Sequence, residues 1–170
     1  MSGEAPADVA EVPSIRRRLA SMLYEAVLLA AIAFFAGVLF LFASGGREAS
    51  GWLRIAQQAY LLVVFAAYFM WCWLRGGQTL AMKAWRIRLV APGHARLPAL
   101  LALLRFIYAA LFVGAFLVCI AAAFVHRSPL LAFATLALSG VGLGWALFDR
   151  DRQFLYDRLA GTRLVLVPRR

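Results

Sequence analysis

Reactive side chains are scarce in this chain. It holds two cysteines, Cys72 and Cys119, two histidines, His94 and His126, and eight carboxylates against eighteen Lys and Arg. Cys72 falls near the inner end of one apolar run and Cys119 in the outer half of another. The two differ in depth by about 24 Å at 1.5 Å per helical residue, which excludes a disulfide between them. The histidines fall on opposite sides of the same arrangement, so no metal centre and no cofactor is expected. No nucleophile–base pair is visible, which makes an enzyme the weakest function class. The shortage of acids leaves a net charge of +10. Its cations lie in short segments between apolar runs, the pattern of a membrane topology signal rather than of a nucleic-acid interface.

Apolar residues are what the chain has in abundance. At 64% hydrophobic it suits neither a soluble domain nor a disordered chain. Four long apolar runs stand out, at about residues 19–43, 55–74, 99–125 and 130–148. About 20 helical residues cross a hydrocarbon core roughly 30 Å thick. The expected fold is therefore an all-α integral membrane protein, a four-transmembrane-helix bundle. Three segments at one end (the N-terminal stub, the middle loop and the tail) hold 14 of the 18 Lys and Arg. That bias places both termini in the cytoplasm. The lipid bilayer is its first partner, and four short helices enclose so little room that a homo-oligomer is expected.

The segments between the runs have their own signals. Residues 1–13 lack apolar periodicity and read as a disordered tail, leaving a single membrane domain over residues 14–168. Ala43-Ser44-Gly45 resembles a cleavage site, but the first run is too long for a signal peptide and carries a carboxylate. Trp52, Trp71 and Trp73 stand at the edges of the second run, where interfacial rings sit. Thr79 reads as the N-cap of a short interfacial helix holding Leu80, Met82, Ala84 and Trp85. Residues 86–90 alternate polar and apolar as a strand does, and Pro92-Gly93 turns the chain. An amphipathic helix over residues 153–161 and a strand over 163–167 follow the fourth run. The two strand patterns could pair as a small ribbon on the cytoplasmic side. Gly140 and Gly144 form a small-xxx-small face that suits close helix packing.

Charges inside or beside the apolar runs are the candidate site. Glu25 lies in the first run, seven positions after Arg18 and so on nearly the same helical face. An ionised carboxylate there costs about 2.5 kcal/mol or more unless paired or hydrated. Arg105, in the third run, lies at the same depth of about 9 Å, so a Glu25–Arg105 pair is expected. A fixed cation beside Glu25 argues against transport, since it lowers the tendency of a carboxyl to hold a proton. Asp157, on the tail helix, is expected either in solvent at headgroup level or paired with Arg17, Arg18 or the Lys83 helix.

Three separated motifs resemble a known family. Arg18-Leu19-Ala20 with an acid seven positions on, Gly77-Gln78-Thr79-Leu80 leading into residues 86–90, and Tyr156-Asp157-Arg158-Leu159-Ala160-Gly161-Thr162 resemble the RDD family of small bacterial membrane proteins. The resemblance runs from about Ser14 to Val167. It implies that Arg18, Glu25 and Asp157 occupy the positions of the family's arginine and two acids. Glu25 replaces an aspartate, and Tyr156 stands where many relatives have histidine. The resemblance also implies transport of unidentified ligands, with some members linked to sodium–proton exchange. Two functions follow: a small transporter or cation/proton-coupled exchanger using Glu25 for a small ion or molecule, or a non-transporting scaffold that binds partner proteins.

Overall fold

The structure, a computed structural model, describes residues 11–46, 50–149 and 153–168. Two long helices open it, α1 (Ile15–Ala43) and α2 (Gly51–Gly76), followed by the short α3 (Leu80–Ala84) and strand β1 (Ile87–Val90). Helices α4 (Ala99–His126) and α5 (Pro129–Phe148), the short α6 (Leu155–Leu159) and strand β2 (Arg163–Leu166) complete it. Among the described residues α1, α2 and α4 are long and apolar enough to cross a membrane.

Local chemistry sets the helix ends. Ser14 caps α1 by accepting from the Arg17 N–H at 3.4 Å, and Ser128 caps α5 with Pro129 in the first helical position. Gly77 ends α2 in the left-handed region at φ +66°. Its carbonyl also accepts from the Leu89 N–H at 2.7 Å, and a Cβ there would lie 2.7 Å from the Leu89 oxygen. Only glycine fits both the backbone angle and the close approach.

Helix α1 packs on α2, α2 on α4, and α4 on α5. Large apolar side chains such as Val27, Phe34, Phe35 and Phe42 point outward. In a lipid solvent this costs nothing, because the hydrocarbon is as apolar as a core. The buried core lies instead at the foot of the bundle, where α1 begins and α2 ends. There Trp73, Met82, Ile87, Leu89, Ala102, Phe106 and Leu164 pack together. Strands β1 and β2 pair antiparallel with Ile87 opposite Leu166 and Val90 opposite Arg163. A two-stranded ribbon is marginal alone and is held here by α3 and α6.

Three expectations need correcting. β1 begins at Ile87 rather than Arg86, because Arg86 sits at φ +55° and turns the chain out of α3. Trp73 is not an interfacial ring but is buried at 3% exposure within the core, while Trp52 and Trp71 are exposed. The segment before α1 is ordered from Glu11: its carbonyl accepts from the Leu166 N–H at 2.8 Å, and Pro13 is buried. The rest of the expected tail, residues 1–10, lies outside the described residues. A Cβ added at Gly144 meets nothing within 4 Å among the described residues. The surroundings of Gly140 lie outside what is described.

Candidate functional site: two charge centres at the foot of the bundle

The charged residues singled out in the sequence fall into two separate groups. In the first, Arg105 Nη2 lies 2.7 Å from Asp157 Oδ1. The Arg105 side chain is 9% exposed and that of Asp157 is completely buried. Helix α4 supplies the arginine, and helix α6 supplies the acid. The Asp157 carbonyl accepts from the Thr162 N–H and hydroxyl, which closes the turn at Gly161. The Arg105 guanidinium lies over the Trp73 ring at 4.6 Å and near the Tyr156 ring at 5.6 Å. Those rings replace water on its flat faces.

Arg18 joins this group. It is 1% exposed, donates from Nε to the Pro13 carbonyl at 3.2 Å, and sits 5.7 Å from the Phe154 ring. Burial pushes the Asp157 carboxyl above the usual carboxylate range, while the Arg105 and Arg18 guanidiniums pull it down. Burial likewise raises the Tyr156 hydroxyl. Asp157 is therefore not in solvent, and among the described residues its ion-pair partner is neither Arg17 nor Lys83. Its ion-pair partner is Arg105, with Arg18 a second cation in its field.

Glu25 forms the second group and makes no pair with Arg105. Its Oε1 accepts from the Tyr68 hydroxyl at 2.7 Å, and its Oε2 accepts from the Thr79 hydroxyl. No cation is paired with Glu25 among the described residues. Thr79 is 1% exposed, and its Oγ1 also accepts from the Met82 N–H at 3.2 Å, capping α3. Gln78 beside it donates to the Ile87 carbonyl at 2.7 Å, tying the α2–α3 corner to β1. The Gly-Gln-Thr motif thus builds the corner that aims a hydroxyl at the α1 carboxylate. Each Glu25 oxygen accepts one hydroxyl and keeps acceptor capacity for a proton or cation.

The depth match of Glu25 and Arg105 did not bring them together because depth leaves the direction around each helix open. Arg105 points toward α6, whereas α1 packs on α2 and α3. Tyr68 was missed, although the same count finds it. It lies six residues before Leu74, at the inner end of its run, just as Glu25 lies six after Leu19. No cluster of three or more metal-ligand side chains occurs among the described residues, and Cys72 and Cys119 are free thiols.

A family model described as RDD family matches residues 12–161. No curated protein and no solved structure matches the chain. Together with the long apolar helices, the family match makes this an integral membrane protein.

Proposed function

The chain belongs to the RDD family, and from that premise we propose a small transporter or cation-coupled exchanger whose ion site is Glu25. The carrying observation is that the Glu25 carboxylate is held by two neutral hydroxyls, with no cation paired to it among the described residues. An acid in a membrane-spanning segment is costly unless its charge is used or matched. Hydroxyls serve both states of such a group: they donate to the carboxylate, and they accept from the carboxylic acid. Arg18, Arg105 and Asp157 then form a structural clamp, which removes the objection that a permanent pair would silence the site.

In this reading α5 is a fourth span, since 20 helical residues reach about 30 Å. The basic foot of the bundle faces the cytoplasm of an inner membrane, and the working unit is a homo-oligomer. The test is flux in liposomes with a pH-sensitive dye inside, scanning small cations. Wild type and Glu25→Asp move protons against a cation gradient, and Glu25→Gln does not. Undiminished flux in a folded Gln variant refutes the reading. Absence of flux in wild type favours the alternative, a membrane scaffold held rigid by its buried clamp.

A further inference from the structure

Above Glu25 runs an apolar groove of about 490 Å³ between α1 and α2. Leu28, Ile32 and Leu39 of α1 and Tyr60, Val64 and Tyr68 of α2 line it. The α1 residues continue the helical face that Glu25 begins, and the α2 residues recur every four positions up to Tyr68, which donates to Glu25. Leu80, next to Thr79, marks the lower end of the groove. The lower end of the groove therefore lies beside Tyr68, whose hydroxyl holds Glu25, and the rest of it is hydrocarbon-lined. From Leu28 to Leu39 it extends about 16 Å along the helix axis.

We infer that this groove with Glu25 at its foot binds a single-chain lipophilic ammonium, entering sideways from the bilayer. The inference rests on the reading of Glu25 as a cation site and adds the class of ligand. Charge complementarity selects a cation, because the carboxylate beside the groove's foot is held by hydroxyls and by no cation among the described residues. Shape selects an alkyl tail, because the walls above it are apolar. The Tyr68 ring beside Glu25 adds aromatic surface that suits an alkylated ammonium. A phospholipid fits poorly. Glu25 lies about 10 Å along the helix from Arg18, beyond the arginine-rich foot. A phospholipid's ammonium also brings a phosphate that the carboxylate repels.

The test measures binding of radiolabelled dodecyltrimethylammonium to the full chain in phosphatidylcholine nanodiscs, with empty nanodiscs subtracted. Its fixed charge keeps pH from altering the ligand. Wild type should show a saturable component of one molecule per chain. Glu25→Gln should weaken it at least tenfold. Ala31→Trp should do the same: Ala31 lines the groove, is exposed and has no polar partner, so its variant folds even if the Gln variant does not. Neither dodecyl sulfate nor tetramethylammonium should compete. Uptake equal to that of empty nanodiscs, unchanged affinity in Ala31→Trp, or displacement by dodecyl sulfate overturns the inference. Breakage of an oligomer by Ala31→Trp without saturable binding in wild type assigns the groove to a second copy and overturns it too. Glu25-dependent proton flux without alkylammonium binding refutes the inference and leaves the transport reading standing. Binding without any flux supports the inference and refutes that reading.

Discussion

Asp157→Asn should be among the most damaging single changes to this fold. Asparagine keeps the shape of the side chain and removes its charge. It leaves the Arg105 guanidinium, 9% exposed and 2.7 Å away, without a counter-charge, and Arg18 buried beside it. Removing one side of a buried ion pair costs about 3–5 kcal/mol, because the remaining charge stays desolvated. For a chain of this size each kcal/mol shifts the melting midpoint by roughly 2–4 °C. The expected loss is therefore roughly 6–20 °C, read by thermal melting of purified protein in a mild detergent. Arg105→Met should cost less than Asp157→Asn, since Arg18 still faces the acid. The double variant Arg105→Met with Asp157→Leu should recover much of the loss, because an apolar replacement of both partners is close to neutral. By contrast, Glu25→Gln strands no cation, and exchanging one hydrogen-bond acceptor there costs about 1 kcal/mol. If Asp157→Asn melts with wild type, or if Glu25→Gln is the more destabilised of the two, the division into clamp and ion site is wrong.

Other outcomes follow from single contacts. Gly77→Ala should destabilise by about 1–2 kcal/mol for the left-handed backbone alone, and by more for the contact with the Leu89 oxygen. Gly93→Ala, at φ +77° in open space, should show only the backbone part; equal melting shifts for the two would remove the close-approach argument. Thr79→Val deletes both the α3 cap and a Glu25 donor, so it should lower stability by about 1–2 kcal/mol and impair any Glu25-dependent flux, while Thr79→Ser preserves both. Tags at the two termini should report the same side of the membrane, and a tag after Ser50 the opposite one; termini on different sides would end the four-span proposal. Gly144→Leu should leave the melting of the single chain unchanged, and a shift in oligomer size would place that face between subunits.

The elements were legible because each was announced locally. A capping threonine, a run of apolar residues or a polar–apolar alternation needs only its neighbours in sequence. α3 and the ribbon were therefore readable from residues 79–90 and 163–167, within a residue or so. What pairs with what was not readable, because Arg105 and Asp157 are 52 positions apart and lie on different elements. Depth in the membrane is a one-dimensional quantity, and it allowed Arg105, Tyr68 or both to meet Glu25. Choosing among them requires knowing which helices are adjacent, and α1 lies against α2 and α3. The turn at Arg86 was hidden for a different reason: an arginine at φ +55° carries no glycine or asparagine to signal it.

Tyr156 shows why the two centres must be considered apart. The family resemblance implies histidine at this position in many relatives, and a titrating imidazole beside Asp157 would tie the clamp to proton movement. Here the ring stacks on Phe154 at 5.6 Å, lies near the Arg105 guanidinium, and sends its hydroxyl toward the Met22 sulfur at 3.9 Å. Burial and the neighbouring Asp157 both raise that hydroxyl further above its ordinary range, so it stays protonated at any physiological pH. The residue acts as an apolar cover over a buried cation. Tyr156→Phe should then preserve the fold and any flux, since it deletes only a weak contact to sulfur. Tyr156→Ala should uncover Arg105 and destabilise the fold by about 3–5 kcal/mol, the usual cost of truncating a buried aromatic ring. Lost flux in a fully stable Tyr156→Phe would mean that the hydroxyl carries protons after all, and the clamp and the ion site would have to be joined into one path.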